Sequence, residues 1–515
     1  MRSFGFGFVL VVMLVACGGD DDGGPAHDAS APRDGSTSAD GSTGADGGGR
    51  DGGVAPADAE TPPDGAVVSG DVWSGHRSGT RLRARIARSA LGAEEFLGWR
   101  DTALGLDCTF RRAGDGALRC LPEESVRITN QLYFADASCT EPLVTTNTLP
   151  CGYPAHAIYY DALGCMEPPT VYGLGAEIPR GTTTYTRPSA SDPCTVAPSL
   201  AGRTVVFARG PEVPPSAFVA GTLRAESTAS GVDFVVLETT DGASQHWGLA
   251  DAAGGFSCAV GALEGGELAC LPTDTTQITT YYGDAACSAP VSFAYDPASC
   301  ETFTHAAEAV SACPGTRRLF RLGMERALTD PLYRNAGSGC TTSSTFASSR
   351  FFDVGAALGA SDFVAASEVS GGVRGVIEER LHRFGGGDAV RVRWADRTNG
   401  VPCEMDAIAS DGVQRCVPDG AGAIATSGYF RDSSCTLPLV HVTGCTNGFA
   451  RALDASMCPP RRSIYPIAGG YSGDIYRTAG GCSRVLRPSE LGGSFAIPGD
   501  EIDPATLVQT ETIIE

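Results

Sequence analysis

The sequence contains no lysine, and all 38 of its basic side chains are arginines. Without lysine the chain cannot carry the P-loop motif G-x-x-x-x-G-K-[ST], in which the lysine binds nucleotide phosphates. Acidic residues number 60, which gives a net charge of −22. Binding to nucleic acid requires clustered positive charge, so we expect no nucleic-acid partner.

Recognisable catalytic motifs are missing too. The chain has no H-E-x-x-H zinc motif and no G-x-S-x-G nucleophile motif. Six histidines lie beyond the acidic N-terminal segment and no two of them are close in sequence; they are His76, His156, His246, His305, His382 and His441. We therefore predict no catalytic residue, no metal site and no cofactor, and expect that the protein is not an enzyme. Carboxylates are plentiful, so a hydrolase that acts on glycans with a carboxylate pair is an alternative.

An apolar run at the N-terminus is too short to cross a bilayer. It covers residues 4–16, which is 13 residues, whereas a transmembrane helix needs about 20. Its length suits a secretory signal. The run ends in "LVAC", which resembles the lipobox of bacterial lipoproteins. This resemblance implies that residues 1–16 are a signal peptide and that lipid is attached to Cys17. Gly18 follows, instead of the Asp that retains many lipoproteins at the inner membrane, so we expect an outer-membrane lipoprotein on the periplasmic face or the cell surface.

The segment from Cys17 to residue 68 has almost nothing apolar to bury. Asp, Gly, Ser, Ala and Pro dominate it, and residues 18–68 hold eleven acidic side chains against two arginines. Such a composition cannot offset the entropy lost on ordering, so we predict a disordered tether.

Beyond the tether, 18 of the 19 cysteines fall into three sets of six. The first cysteines of the sets lie 150 and then 145 residues apart, which identifies three repeats. We place the repeats at residues 69–219, 220–364 and 365–508, and assign 509–515 to the end of a strand that starts no further repeat.

A second landmark is the motif "YFADASCTEPLV" of repeat one, which returns as "YYGDAACSAPV" and "YFRDSSCTLPLV". We predict that its aromatic residues belong to a core strand and that its Asp accepts backbone N–H groups in the following turn. A ligand-binding role for these Asp residues is the alternative. A tryptophan also precedes the first cysteine of each set, by 9, 11 and 9 residues. The recurring residues are Tyr133, Asp136, Tyr281, Asp284, Tyr429, Asp432, Trp99, Trp247 and Trp394.

The cysteines predict disulfide bonds rather than a metal site, because the chain carries an export signal and has no C-x-x-C pair. In "CTFRRAGDGALRC" the two cysteines flank a Gly-containing turn symmetrically, so a hairpin would place them opposite each other. This reasoning pairs Cys108–Cys120, Cys258–Cys270 and Cys403–Cys416. The other four cysteines of each set can pair in three ways. We prefer neighbours: Cys139–Cys151, Cys165–Cys194, Cys287–Cys300, Cys313–Cys340, Cys435–Cys445 and Cys458–Cys482.

The fold class that these patterns predict is all-β. Short runs rich in Val, Phe, Tyr and Thr are broken by Gly, Pro and Asp every 8 to 15 residues. Because the last strand has no repeat after it, it can pair with repeat one and close the array into a ring. Radial β-propellers close in this way, so we expect a closed propeller with six blades favoured over nine. Three separate small β domains in tandem are the alternative.

The ensemble resembles the cysteine-rich repeat lipoproteins found in myxobacteria and related bacteria. The resemblance rests on the "LVAC" box, the Asp/Gly tether and the run from "DG-x-x-RC-[LV]-P" to "Y-F-x-D-x-[SA]-C-[TS]-x-P-L", and it covers most of residues 95–500. It implies no mechanism and transfers no functional residues. We expect a binding or interaction module on the cell envelope, held to the membrane by its lipid, with a glycan or an envelope protein as ligand. A purely structural envelope protein is a further alternative.

Overall fold

The computed structural model describes residues 72–73, 75–128, 133–147, 149, 151–159, 169–189, 191–198, 204–295, 302–311, 315–335, 339–343, 349–419, 423–424, 428–442, 447–478, 481–485 and 493–515. The predicted signal peptide, Cys17 and the predicted tether lie outside these ranges. The all-β prediction is confirmed, since the described residues form 40 strands and no α-helix. Short 3-10 turns precede the strand that leaves each repeat, at Pro215–Ala217, Ala360–Asp362 and Pro504–Thr506.

Each repeat contributes first to a central sheet and then to a peripheral unit. The central strands of repeat one are β1 (Val72–Trp73), β2 (His76–Arg77), β3 (Leu82–Ser89), β4 (Glu94–Asp101), β5 (Leu106–Arg112) and β6 (Leu118–Pro122). Its peripheral strands are β7 (Val126–Ile128), β8 (Tyr133–Phe134), β9 (Leu143–Asn147), β10 (His156–Tyr159), β11 (Thr170–Glu177), β12 (Tyr185–Thr186), β13 (Thr195–Val196) and β14 (Thr204–Glu212).

Repeat two follows the same order. Its central strands are β15 (Ala220–Glu226), β16 (Val232–Thr239), β17 (Ser244–Asp251), β18 (Phe256–Ala262) and β19 (Leu268–Pro272). Its peripheral strands are β20 (Thr275–Tyr282), β21 (Pro290–Tyr295), β22 (His305–Ala309), β23 (Arg317–Glu325), β24 (Leu332–Asn335), β25 (Cys340–Ser343) and β26 (Ser349–Leu358).

Repeat three completes the array, and one strand follows it. Its central strands are β27 (Ala365–Arg374), β28 (Ile377–Phe384), β29 (Ala389–Asp396), β30 (Val401–Ile408) and β31 (Gln414–Pro418). Its peripheral strands are β32 (Ala423–Ile424), β33 (Tyr429–Phe430), β34 (Val440–Val442), β35 (Phe449–Asp454), β36 (Arg461–Tyr471), β37 (Tyr476–Thr478), β38 (Cys482–Arg484) and β39 (Ser494–Pro498). The chain ends with β40 (Thr510–Ile514).

Strand pairing in the central sheet runs in a closed cycle through all three repeats. β6 of repeat one pairs with β15 of repeat two, and β19 of repeat two pairs with β27 of repeat three. β40 closes the cycle, because it pairs antiparallel with β3 and bridges to β31 through Gln509 and Arg415. The predicted pairing of the terminal strand with repeat one is therefore confirmed. Closure leaves no unpaired edge between the first and last repeats.

The same hydrogen bond recurs at each of the three junctions between repeats. The backbone N–H of the second cysteine of a set donates to the carbonyl of the residue that leads into the next strand: Cys120 to Val219, Cys270 to Val364 and Cys416 to Val508, at 3.0, 2.9 and 2.9 Å. A buried apolar cluster lies at each junction and contains the hairpin cysteines of one repeat. The central sheet is thus one cooperative body built from three equivalent parts.

The peripheral part of each repeat is a small sheet of five strands in the same spatial order. The order is β7-β10-β11-β14-β9 in repeat one, β20-β22-β23-β26-β21 in repeat two and β32-β35-β36-β39-β34 in repeat three. In repeats two and three the last strand of this order meets the first, so that a barrel closes. A short three-strand layer accompanies each unit; in repeat one it is β8-β12-β13.

This arrangement corrects the propeller expectation. A propeller has separate four-stranded blades placed radially, whereas here 17 strands form one sheet and the remaining strands form the peripheral units. The physical reason is that the first strand of a repeat pairs with the hairpin of the repeat before it, β15 with β6 and β27 with β19, and this pairing joins sheets that blades would keep apart. No helix in the described part of the chain has the length and apolar character needed to cross a membrane.

Candidate functional site

The repeated Asp of the aromatic motif organises a turn. In repeat one the Asp136 carboxylate accepts the backbone N–H groups of Ser138, Thr140 and Glu141 at 3.2, 2.8 and 2.7 Å. The hydrogen bond from the N–H of Glu141 is the main reason why the pKa of Asp136 is lowered to about 2. Asp284 and Asp432 make the equivalent contacts in their own repeats. All three carboxylates are thus occupied by the turn that follows them.

The cysteine in each of these turns has a left-handed backbone, with φ of 52° at Cys139, 53° at Cys287 and 52° at Cys435. Non-glycine residues rarely adopt this conformation. It is held here from both sides, by the hydrogen bonds of the Asp turn and by a disulfide bond. The motif is therefore a rigid corner that positions the strands around it.

The disulfide bonds agree with the hairpin reasoning and contradict the neighbour pairing. Cys108–Cys120, Cys258–Cys270 and Cys403–Cys416 are bonded, with Cα atoms 5.2, 5.3 and 5.2 Å apart. The third cysteine of each set is bonded to the sixth, as Cys139–Cys194, Cys287–Cys340 and Cys435–Cys482. All six neighbour pairings are therefore wrong: Cys139–Cys151, Cys165–Cys194, Cys287–Cys300, Cys313–Cys340, Cys435–Cys445 and Cys458–Cys482.

The reason lies in the three-strand layer of each repeat. In repeat one β12 pairs with both β8 and β13. Cys139 follows β8 and Cys194 directly precedes β13, so the layer brings together two residues that are 55 positions apart. A further bond, Cys151–Cys458, joins the fourth cysteine of repeat one to the fifth of repeat three. Cys165, Cys300, Cys313 and Cys445 lie outside the described residues.

The three tryptophans do not occupy equivalent positions. Trp99 and Trp394 pair with the first cysteine of their hairpins, Cys108 and Cys403. In repeat two it is Leu249 that pairs with Cys258, and Trp247 lies two residues earlier, at a β-bulge opposite β16. The prediction that the three tryptophans are equivalent is therefore wrong for Trp247. The sequence indicated this difference, because Trp247 precedes its cysteine by 11 residues whereas Trp99 and Trp394 precede theirs by 9.

A pocket of 410 Å³ lies in the peripheral unit of repeat one. One wall is the segment 179–184, the second is formed by Val196, Ala197 and Pro198, and the floor is Ile178 together with the start of β14. Backbone hydrogen bonds hold these parts together: Ile178 N–H donates to the Val206 carbonyl and Ala197 N–H to the Thr184 carbonyl, both at 2.8 Å.

The first wall is shaped by a tight turn. The N–H of Thr182 donates to the carbonyl of Pro179 at 3.2 Å, and Gly181 has φ of +88°. A positive φ at this third position is typical of a type II turn, which favours glycine. The second wall follows directly on Cys194, so the Cys139–Cys194 bond anchors it to the Asp136 corner. The repeated motif thereby supports the pocket without lining it.

The pocket presents hydroxyl groups above an apolar floor. Thr182, Thr183, Thr184 and Thr204 line it, and their hydroxyls make no hydrogen bond to any residue that the structure describes. The floor consists of Val205 and Val206, which are buried, together with half-buried Ile178. Glu177 and Arg180 contribute one charge of each sign, and both side chains are exposed.

The equivalent space in the other repeats is filled by apolar side chains. Strand pairing aligns Val206 with Phe351 and Phe495, and it aligns Thr184 with Leu332 and Ile475. Leu332 and Phe351 belong to one buried cluster of repeat two. Ile475 and Phe495 belong to one buried cluster of repeat three. Repeat one has a pocket because it carries a smaller residue at both positions.

A family of unknown function (DUF7481) matches residues 218–373 and 332–512, which together are more than half of the chain. This chain belongs to that family. No curated protein and no solved structure matches it. The matched ranges span repeats two and three, whereas the pocket-lining residues lie in repeat one.

Sequence reasoning missed this pocket because none of its residues belongs to a catalytic or metal-binding motif. Among the described residues no group of three or more His, Cys, Asp or Glu is placed to hold a metal ion. A signal was nevertheless present. Once the repeats are aligned on Tyr185, Tyr333 and Tyr476, Thr184 falls in a column with Leu332 and Ile475. A polar residue in an otherwise apolar column indicates a place where one repeat has diverged.

Proposed function

We propose that this protein is a cell-envelope lipoprotein that binds a ligand in the pocket of repeat one. The observation that carries the proposal is the loss of two apolar side chains at positions 184 and 206, which opens a pocket that its sister repeats fill. Filling a core stabilises a protein, and a cavity left in it costs stability. Repeat one lacks this apolar packing but keeps the surrounding disulfide and Asp turn. We therefore infer that its pocket serves a function other than stability.

Binding is favoured over hydrolysis by the chemistry of the pocket. A glycan hydrolase of the usual kind needs two carboxyl groups on either side of the bond it cleaves. Among the described residues that line the pocket, Glu177 is the one carboxylate, and its side chain is exposed. The hydroxyls, the apolar floor and the size of the pocket suit a bound ligand.

The pocket can be tested by giving repeat one the residues that repeats two and three already carry. The full chain with Thr184→Leu and Val206→Phe should remain folded, since both side chains are accommodated at these positions in the sister repeats. Thr146→Val is the matched control, because Val442 stands there in repeat three and Thr146 does not line the pocket. All three proteins would be screened by thermal shift against small polar metabolites, sugars and short peptides.

We expect some compounds to raise the melting temperature of the wild-type chain and of the control. The same compounds should not raise that of Thr184→Leu/Val206→Phe, the filled variant. If no compound distinguishes the filled variant from the control, the pocket is not a binding site.

Display on the envelope needs a separate test. Cys17→Ser should abolish metabolic palmitate labelling and move the protein from the membrane fraction to the soluble fraction, because several acyl chains on one residue hold a protein firmly on a bilayer. The matched control is a serine substitution of Cys108, which leaves the lipobox unchanged. Labelling that persists in the Cys17→Ser protein would contradict lipid anchoring.

A further inference from the structure

We infer that the pocket of repeat one accepts an uncharged, polyhydroxylated ring, the size of one sugar residue at the end of a glycan chain. This inference rests on the proposed function and names the class of ligand for the same site. Its volume of 410 Å³ falls within the range of about 300–1,000 Å³ that is typical of small-molecule sites.

The hydroxyl groups are the first argument for this class. Each threonine hydroxyl donates one hydrogen bond and accepts others, so it matches a sugar hydroxyl, which does the same. Thr182, Thr183 and Thr184 lie on one wall and Thr204 lies in the floor at the start of β14, and the hydroxyls of all four make no hydrogen bond to the described residues. A ligand with hydroxyls around a ring can bond to both sides at once.

The apolar floor is the second argument. Ile178 and Val206 offer an apolar surface that can pack against C–H groups but cannot hydrogen-bond to a polar group. A sugar ring has such a face between its hydroxyls, and burying it removes apolar area from water. A small ion or a fully polar metabolite would leave this floor uncovered.

The balance of charge is the third argument. A site for an anionic or cationic ligand needs an excess of the opposite charge, because moving an unpaired charge out of water is costly. The charged residues that line the pocket are Glu177 and Arg180, whose charges cancel, and both residues are exposed. Neither a uronic acid nor an amino sugar would find a net counter-charge here.

The test uses the full chain and free sugars as probes. The panel comprises neutral hexoses and N-acetylhexosamines, uronic acids, amino sugars and short neutral peptides, and binding is measured by isothermal titration and by saturation-transfer NMR. We expect a neutral sugar to bind the wild-type chain and Thr146→Val alike, and to lose at least about tenfold in affinity in Thr184→Leu/Val206→Phe. Thr183→Val removes one hydroxyl at nearly constant volume, and we expect it to bind about three- to tenfold more weakly.

Each other outcome overturns the inference in a recognisable way. Preferential binding of a charged sugar, or of a peptide, that is lost in the filled variant would refute the neutral-sugar class and leave the pocket as the binding site. Sugar binding that survives filling would place the sugar elsewhere on the molecule and refute the inference, while the thermal-shift screen still decides whether the pocket binds another ligand. No sugar binding at all would also refute the class. A melting temperature for each variant shows whether it is folded, and Val206→Phe alone serves if the double change unfolds repeat one.

Discussion

At the scale of single residues, the side chain on one side of a junction between repeats determines which kind of residue is needed on the other side. The indole N–H of Trp99 donates to the side-chain carbonyl of Gln245 across the first junction. The indole N–H of Trp394 donates to the backbone carbonyl of Glu94 at 3.1 Å. At the junction where Leu249 replaces the tryptophan, Val390 stands in the position of Gln245, and the two belong to one apolar cluster. A buried donor requires an acceptor, and without the donor an apolar pair suffices.

Glu95 occupies the same position at the junction between repeats three and one. One of its carboxylate oxygens is enclosed and has no hydrogen-bond partner among the described residues. Burial, assisted by the negative charge of Asp406, raises the pKa of Glu95 to about 7, while the backbone of Met405 and the Arg391 guanidinium act in the opposite direction. The junction therefore contains an acid that changes charge near neutral pH.

We predict that Glu95 makes stability depend on pH. Its pKa in the folded chain is above the value of 4.5 that it would have unfolded. The folded state therefore binds the proton more tightly, and stability falls as pH rises from about 4.5 to about 7, by on the order of 2–3 kcal/mol. Glu95→Gln, which introduces the residue of repeat two at this position, should remove that fall. Denaturant unfolding at several pH values measures it.

The control for this prediction is Glu94→Gln, a change at the half-buried neighbour of Glu95 on the same strand, which should keep the wild-type pH profile. If Glu95→Gln and wild type lose stability in parallel between pH 5 and 8, the enclosed acid does not titrate in this range.

At the scale of structural elements, the Asp corner and its disulfide are the same in every repeat, and what they support differs. In repeat one the Cys139–Cys194 bond anchors the wall formed by Val196 to Pro198, and in repeat two Cys287–Cys340 anchors β25 beside a filled core. The Asp corner with its disulfide thus stabilises the fold in all three repeats, and in repeat one it also shapes a pocket.

We predict that ligand binding depends on one of these two bonds only. Removing Cys139–Cys194 by a double change to alanine should cost on the order of 3–4 kcal/mol in the chain-entropy account and should weaken ligand binding, because the second wall is released. The same change at Cys287 and Cys340 should cost a similar amount and leave binding unchanged. Thermal unfolding and titration of the bound ligand measure the two effects. Equal losses of binding in both variants would contradict the assignment of the pocket to repeat one.

At the scale of the whole molecule, the last strand holds the ring closed. β40 pairs with β3 from Ser89 and Thr510 to Arg85 and Ile514. The side chain of Glu515 makes an ion pair with Arg88 at 2.6 Å. On the other side the Leu507 carbonyl accepts from Arg415 at 2.9 Å. Repeats one and three are therefore joined through a segment at the extreme end of the chain.

We predict that deleting residues 506–515 lowers the melting temperature by many degrees and promotes association. The deletion leaves β3 as an exposed edge and separates two repeats that the strand had joined. Calorimetry and light scattering measure the two effects. Deleting the tether residues 18–68 instead is the control and should change neither. A truncated chain that melts like the wild type would show that β40 adds nothing to stability.

The bond between Cys151 and Cys458 leads to a prediction for the four cysteines outside the described residues. It joins the fourth cysteine of one repeat to the fifth of the repeat before it in the cycle. Applied to the other two junctions, the same rule predicts Cys165–Cys300 and Cys313–Cys445. Peptide mapping of the full chain under non-reducing conditions should recover these two cross-linked pairs. Recovery of Cys165 bonded to a cysteine of its own repeat would contradict the rule.

The sequence by itself determined the features that depend on local spacing or on repetition. Cys108 and Cys120 are 12 residues apart around a turn, so the hairpin alone brings them together. The alternation of β-forming residues and turn residues determined the all-β class, and the unmatched last strand pointed to closure. Only the tertiary structure decided that Cys139 bonds to Cys194 over 55 residues, that Trp247 lies at a bulge, and that Thr184 and Val206 face one space. These contacts depend on which strands pair and in what register, and a shift of one or two residues in register changes every one of them.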